Sequence, residues 1–518
     1  MLAALGVIFL AAGVLVHVRV ARPEHQAVLT AGDCHLPITI IEPAARGGDV
    51  TAIVFHGLSA NRRLMDVLGQ SLAWSDLRVI LVDFPGHGDN TDAFSIERCE
   101  ECAGALLDTL VREGQINPDR TILIGHSLGG AIAIRMADWM PVAATIAISP
   151  APMVPRKDIP DYLIPVKPPR RRPANLLVIM GESEPKRFKQ AAAELIAMAG
   201  GERHELEDFR QRRAARLIVA PYASHTSLLF NRFVWDVTDV WWRMAAPIPL
   251  PTRNFLGYVL AGGMLAGLVG LGLLFALGLR LIPAGPAKIT IASPPSMVTT
   301  LGAWLVAAAI GGGLTYLFVP LAVLRIYSGD VLASVMLVAG IVVAVFVWRR
   351  IGAQPFGSAQ GKRAASLRSA TGPAEWLIGV AAGMFVVLAL GAWLNWQVTD
   401  LWMTAGRWWR FAVLVPLMLP YALAEELTLA WPGTARRYLT FFVQRVLLLL
   451  AVVLPFGGWH IDRLLILLLL PYLVIFSLGQ RLGADAVRRH SGSATAAAIF
   501  GAILAAWFLA GVFPVTGS

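Results

Sequence analysis

The residues best placed to do chemistry lie in TILIGHSLGGA, residues 121–131, where Gly125, His126, Ser127, Leu128 and Gly129 stand between a buried-looking apolar run and the helical stretch AIAIRMADWM. Glycines two positions either side of a serine are common by chance, but not at a strand-to-helix bend. A bend that tight needs small residues on both flanks, and it lifts the serine oxygen clear of the backbone. The helix that follows aims its N-terminal amides at the same point and favours negative charge developing there. The chemistry implied is nucleophilic attack by Ser127, which needs a base to take the hydroxyl proton. No H-E-x-x-H or H-x-H cluster accompanies the scattered acidic residues, so no metal and no cofactor are expected.

A serine at a strand end needs a sheet to hold it. The apolar runs 50–55, 78–84, 121–125, 143–149, 175–181 and 215–221 read as buried strands of a mostly parallel sheet. Between them, SIERCEECAGALLDTLVREG (95–114) and PKRFKQAAAELIAMAG (185–200) have helical periodicity, the second opening on Pro and closing on Gly. This α/β rhythm fills residues 22–246. The three cysteines, Cys34, Cys99 and Cys102, say little about redox compartment; Cys99 and Cys102 have a C-x-x-C spacing with nothing thioredoxin-like nearby, so these two are expected as small buried apolar side chains.

The rest of the chain has a different character. Its 518 residues are 56% hydrophobic and 15% charged, which excludes disorder, collagen-like repeats and a small disulfide scaffold. Of the 34 acidic residues 27 precede Phe255, as do 27 of the 44 basic ones, so the net charge of +10 belongs to the apolar second half. Basic residues scattered between apolar runs are what membrane topology requires, so a nucleic-acid partner is not expected and a lipid bilayer is. Residues 1–20 read as an uncleaved transmembrane anchor, with a removed signal peptide as the alternative. After a Pro-rich hinge at 247–254, residues 255–518 are expected to hold eight spans, near 255–279, 297–319, 331–348, 375–394, 411–430, 439–457, 464–479 and 494–514. Loops after alternate spans carry Arg280, Lys288, Arg349, Arg350, Lys362, Arg363, Arg368, Arg436, Arg437, Arg481, Arg488 and Arg489. The opposite loops carry Arg325, Arg407, Arg410 and Arg463, with Arg243 and Arg253 near the hinge. The richer set is expected in the cytoplasm and the α/β domain on the far side, although Arg19 and Arg22 argue the other way.

With these elements around it, the Ser127 motif resembles the nucleophile elbow of α/β-hydrolases of the serine esterase, lipase or acylglycerol lipase type, and three further motifs match that family in order across residues 22–246. VFHGLSANRR (54–63) is similar to the loop that supplies an oxyanion-hole amide. The resemblance assigns that amide to Leu58, beside the N–H of Leu128, with His56 shaping the loop. VDFPGHGDN (82–90) is similar to the family's D-x-x-G-x-G-x-S loop, in which Asp83 and His87 would be structural; Asp89-Asn90 stand where Ser is commoner. VIMGESEP (178–185) looks like the strand followed by G-x-x-D-P, which places Glu184 at the acid position by its spacing from Gly181, with Glu182 as the rival. VAPYASHTSLLF (219–230) puts His225 at the base position, and Ser127, Glu184, His225 is the nucleophile, acid, base order of the fold.

The resemblance implies an α/β-hydrolase fold, a mostly parallel sheet flanked by helices, joined here to an all-α multi-span transmembrane domain. It implies a carboxylic ester hydrolase working through an acyl-enzyme on Ser127, with His225 moving the proton and Glu184 orienting it. Only about 25 residues precede the acid strand where this fold inserts a cap, so the site is expected to be open; its RKD and KPPRRR clusters suit either anionic headgroups or solvent. Tethering and a small cap favour a small-molecule or lipid ester presented at the bilayer of a bacterial cytoplasmic membrane. A peptidase or acyltransferase on the same triad, and a transporter or receptor with a hydrolase-like binding domain, remain alternatives. Glu425 and Glu426 are acidic residues at membrane depth and therefore costly. The pair is similar to the di-glutamate motif of the CAAX-prenyl-protease-like membrane family. No Arg follows at the required spacing, however, and residues 494–514 lack the family's histidines. A degenerate or unrelated module is expected, or carboxylates reaching the interface beside Arg436 and Arg437.

Overall fold

The computed structural model describes residues 1–44, 49–155, 157, 159, 164–247, 255–281, 296–352, 373–397, 399–429, 434–454, 466–467 and 469–517. Positions 248–254 of the expected hinge, Lys288, Lys362, Arg363, Arg368 and Arg463 lie outside the described residues, as do 156, 158 and 160–163 of the segment before the acid strand. The chain divides into two compact units. One comprises Phe9–Leu268 with Trp393–Trp402 and Pro514–Ser518; the other comprises Met1–Ile8, Val269–Ala392 and Met403–Phe513.

The first unit is built on eight strands, β1 (Glu24–Ala31), β2 (Cys34–Ile41), β3 (Thr51–Phe55), β4 (Arg78–Val82), β5 (Thr121–His126), β6 (Ala144–Ile148), β7 (Leu176–Gly181) and β8 (Ala215–Ala220), in the order β1-β2-β4-β3-β5-β6-β7-β8. Strands β3 to β8 pair in parallel and are the six runs expected from the sequence. Their apolar residues do not alternate because helices cover both faces, and β3, β5, β6 and β7 are buried at every position. The hairpin β1–β2 is an addition to the expected set. It turns at Gly32, whose φ of +63° suits glycine, and β2 joins β4 antiparallel.

After α1 (Leu2–Val20), the helices of this unit are α2 (Asp66–Trp74), α3 (Ile96–Arg112), α4 (Leu128–Trp139), α5 (Lys186–Met198), α6 (Leu206–Arg210) and α7 (Arg232–Ala245). Ser95 caps α3 by accepting from the Arg98 amide, and Cys99, Cys102, Ala103, Leu106, Leu107 and Leu110 form its buried stripe at helical spacing. Cys102 is disulfide-bonded to Cys34, 68 residues away, while Cys99 is a free, buried thiol. The expectation of small buried apolar side chains therefore holds for Cys99 and is corrected for Cys102, which is bonded to Cys34. The pairing depends on β2 packing beside α3, which spacing along the chain does not report. Because β4 and β5 flank β3 on opposite sides, the chain reverses direction across the sheet there. The crevice beyond the carboxyl ends of β3 and β5 is where such sheets bind ligands.

The second part of the chain is helical: α8 (Leu256–Arg280), α9 (Met297–Leu317), α10 (Gly329–Gly352), α11 (Pro373–Gln397, with a π-turn at Val386–Leu390), α12 (Ala405–Thr428), α13 (Thr434–Val453), α14 (Leu470–Ser491) and α15 (Ala494–Val512). Among the described residues seven helices are long and apolar enough to cross a membrane: α1, α8, α9, α10, α11, α12 and α15. The spans expected at 439–457 and 464–479 overlap α13 and α14, and their positions 455–457, 464, 465 and 468 lie outside the described residues. Helix α13 carries Arg436 and Arg437 in its first turn and Arg445 at mid-helix, and α14 continues past the apolar run through Arg481, Asp485, Arg488 and Arg489. Helix α15 is apolar on all sides, and 94% of its spanning window is buried; Gly379 and Gly383 let α11 approach it to near backbone contact.

Glu425 and Glu426 are buried, and their partners come from α13 and α14. Arg481 binds Glu425 at 3.2 Å, Glu426 at 2.6 Å and Asp485 at 2.8 Å; Arg445 adds a 2.8 Å contact to Glu425 and Arg488 a 3.0 Å contact to Glu426. Arg437 pairs with Asp485 instead. This corrects the expectation that the two glutamates reach an interface beside Arg436 and Arg437. Helix packing supplies closer cations, which removes the need to snorkel.

Candidate active site

Ser127 occupies the one-residue bend between β5 and α4, with φ +54° and ψ −119°. The bend is possible because its flanks have no side chains: a Cβ on Gly125 would run into the backbone of Gly129, and one on Gly129 into the carbonyls of Phe55 and His56. The Ser127 amide donates to Ile148 O and its carbonyl accepts from Ala151 N, both at 3.0 Å, which ties the bend to the end of β6. Ser127 Oγ lies 3.0 Å from Nε2 of His225, a residue of the loop that follows β8.

Three groups hold His225, one at its backbone and two at its ring. His126 Nε2–H donates to the His225 carbonyl at 2.9 Å. Burial, followed by the nearby His225, lowers the His126 pKa to about 3, so His126 is a neutral donor that ties the base loop to the nucleophile bend. On the far side of the ring, Glu184 Oε2 lies 3.5 Å from His225 Nδ1, and Ser149 Oγ lies 2.8 Å from the same nitrogen and 2.5 Å from Glu184 Oε1. Burial pushes the Glu184 carboxyl up, but the neighbouring His225, Ser149 and the Gly181 N–H together outweigh burial and hold it below the ordinary value. The rival Glu182 is exposed and accepts from the Tyr222 amide at 2.8 Å. The structure thus brings Ser127, His225 and Glu184 together and leaves Glu182 apart.

The loop after β3 supplies the other wall. A Cβ on Gly57 would lie 2.9 Å from Ser127 Cβ, so the Gly57–Leu58 backbone passes directly beside the nucleophile. Leu128, at the first position of α4, carries an N–H that has no acceptor within its own helix. The His56 ring is buried and fixes this loop: it donates from Nδ1 to Gly57 O at 2.8 Å and accepts from Phe84 N at 3.0 Å. His87 Nε2 accepts from Ser59 N at 3.2 Å. Beneath the loop, Arg62 pairs with Asp83 and, at 2.6 Å, with Asp89, while Asn61 exchanges two 3.1 Å bonds with the backbone of Asp400. Carboxylate oxygens of Asp83, Asp89 and Asp400 lie within 4.8 Å of one another. The cation among them is the Arg62 guanidinium, so ion pairing accounts for the cluster. Burial, then Asp89 and Asp83, pushes the Asp400 carboxyl up to about 8. Val515 exchanges backbone bonds of 2.9 and 3.0 Å with Phe94 and Gly86, bracing the loop after β4.

Residues 52–267 match the profile of the alpha/beta hydrolase family. The chain carries an alpha/beta hydrolase domain. An uncharacterized protein of Mycobacterium tuberculosis is 31% identical to it over 109 residues, covering 21% of this chain and 39% of that protein. The pimeloyl-[acyl-carrier protein] methyl ester esterase of Nitrosospira multiformis is 32% identical over 97 residues, covering 19% of this chain and 35% of the esterase. The chain therefore matches less than two fifths of the length of these curated relatives. Among solved structures, Thermogutta terrifontis esterase 2 superposes with a TM-score of 0.34 at 13% identity, covering 44% of this chain and 97% of its own. The Pyrobaculum calidifontis esterase has a TM-score of 0.34 at 12% identity, with coverages of 48% and 93%.

Within the hydrolase domain, the arrangement can pass a proton from Ser127 to His225 and offers amides beside the nucleophile for an oxyanion. Sequence reasoning did not find Ser149, Asn61 or the Arg62 pairings. A signal for Ser149 is visible only in the backbone: it is a non-glycine residue at φ +45°, directly after β6.

Proposed function

We propose that this chain is a membrane-anchored serine hydrolase that cleaves carboxylic esters through an acyl-enzyme on Ser127. The observation that carries the reading is the 3.0 Å separation of Ser127 Oγ from His225 Nε2 at a strand-to-helix bend. His225 takes the hydroxyl proton and returns it to the leaving alcohol; Glu184 stabilises the imidazolium; the amides of Leu58 and Leu128 receive the oxyanion. The esterase named among the relatives supports an ester as the scissile group. The seven apolar helices among the described residues support a lipid-embedded chain, and with it a hydrophobic or acyl-lipid ester reached at the bilayer. The excess of arginines in alternate loops supports an extracytoplasmic position for the hydrolase domain. The Cys34–Cys102 disulfide supports that side independently, because such bonds persist in oxidising compartments.

The test is labelling of intact cells with a fluorophosphonate probe that does not cross membranes, alongside lysed cells. Labelling of the full-length protein in both, absent in S127A, is the expected result. Labelling only after lysis overturns the sidedness. No labelling and no turnover of p-nitrophenyl esters in either overturns the enzyme and leaves a receptor or transporter with a hydrolase-like domain.

A further inference from the structure

Ser149 stands between the two residues that a catalytic triad would place in direct contact. His225 Nδ1 is 3.5 Å from the nearer Glu184 oxygen, beyond the N–H···O range of about 2.7–3.2 Å. Ser149 Oγ is 2.8 Å from that nitrogen and 2.5 Å from the other carboxylate oxygen. A hydroxyl has one proton, and an ionised carboxylate only accepts. The Ser149 proton therefore points at Glu184 in a short, charge-assisted bond, which leaves an Oγ lone pair to accept from Nδ1–H.

We propose that Glu184 acts on His225 through Ser149, a positioning residue whose hydroxyl selects the Nδ1–H tautomer and leaves the Nε2 lone pair facing Ser127. The inference rests on the reading of Ser127 and His225 as nucleophile and base, and adds a fourth member to their chain. As the ring takes the Ser127 proton, its positive charge polarises Ser149 toward Glu184, and no proton has to leave Nδ1. The backbone supports a dedicated position. Ser149 is fully buried, its N–H donates to Ile179 O of β7 at 2.6 Å, and its φ of +45° lies where glycine is the easier residue. A conformation that suits glycine here carries a hydroxymethyl group aimed at both partners.

The test uses full-length protein in detergent or nanodiscs. S149A is expected to lower kcat for p-nitrophenyl esters by about 10²-fold with KM little changed, the scale of a lost proton-transfer partner. S149G, which relieves the positive φ, is expected to lose as much, so a folding defect in one variant does not decide the matter. In a double-mutant cycle, S149A is expected to cost nothing further in an E184Q background. A readout independent of turnover is the Nδ1–H resonance of His225 in protein labelled with ¹⁵N-histidine, assigned by its loss in H225N: present in the parent, exchanged away in both Ser149 variants. A parent that turns over no ester but shows this pattern would remove the nucleophile reading and keep the role of Ser149. S149A with parental kcat and an intact resonance would show Glu184 bonding the ring directly, and additive losses in the cycle would show the two residues acting separately; either overturns the proposal.

Discussion

In the helical unit, four arginines and three carboxylates are interlocked so that each carboxylate has at least two cationic partners, with Arg481 as the hub and almost no exposure. Around Ser127 the polar groups form a single line instead, from Ser127 through His225 to Ser149 and Glu184, and the His225 side chain retains 16% exposure. The contrast follows from what burial demands. Charges removed from water must be compensated on every side, or their desolvation outweighs the pairing. A group that is to change its protonation during a reaction must keep one face for the reacting partner. Redundant pairing marks the first cluster as structural, and a linear chain ending at an open serine marks the second as a place where a proton can move.

The comparison can be broken in several places. Ser127→Ala is expected to lower ester turnover by about 10⁴-fold or more at an unchanged melting temperature, whereas Glu182→Gln changes it less than about twofold. Turnover that survives in S127A would erase the distinction between the two regions. Arg481→Met leaves Glu425, Glu426 and Asp485 short of a cation and is expected to destabilise the helical unit by about 3–5 kcal/mol, read by thermal unfolding in detergent, with turnover per folded molecule unchanged. Cys34→Ser removes the bond to Cys102 and is expected to cost the hydrolase domain about 2–4 kcal/mol without altering kcat. The smallest effect concerns Asp400. Its carboxyl, pushed up from 3.8 to about 8, holds a proton in the folded chain that the unfolded chain has released, so its contribution is full below about pH 4 and is lost as pH rises through 8. D400N does not ionise. It is expected to flatten the melting temperature between pH 4 and 8 and to exceed the parent at pH 9 by about 2–4 °C.

Much of the hydrolase domain was legible because its signals are local. The six parallel strands announce themselves as unbroken apolar runs, and Gly125 and Gly129 around Ser127 report a bend that only residues without side chains permit. The edge hairpin β1–β2 was missed because five of the eight β1 residues face solvent and its apolar pattern is diluted. The apolar runs near 439–457 and 464–479 pointed to helices but not to their ends, since α13 begins before its run at Thr434 and α14 continues past its run through charged residues to Ser491. In the candidate site, the spacing from Gly181 pointed to Glu184. Its partner Ser149 carries no sequence mark at all, since a serine followed by proline after a strand suits any turn.

What the chain determined by itself, then, is whatever neighbouring residues decide among themselves: strand and helix periods, the tight bend at Ser127, and the apolar lengths that suit a bilayer. The tertiary structure alone decided the pairings between distant residues: Ser149 with His225 across 76 positions, Cys34 with Cys102 across 68, Glu425 with Arg481 across 56. Those contacts depend on strand order and helix packing, in which burial of apolar surface selects the arrangement and the polar groups are then satisfied by whichever partners it brings within reach.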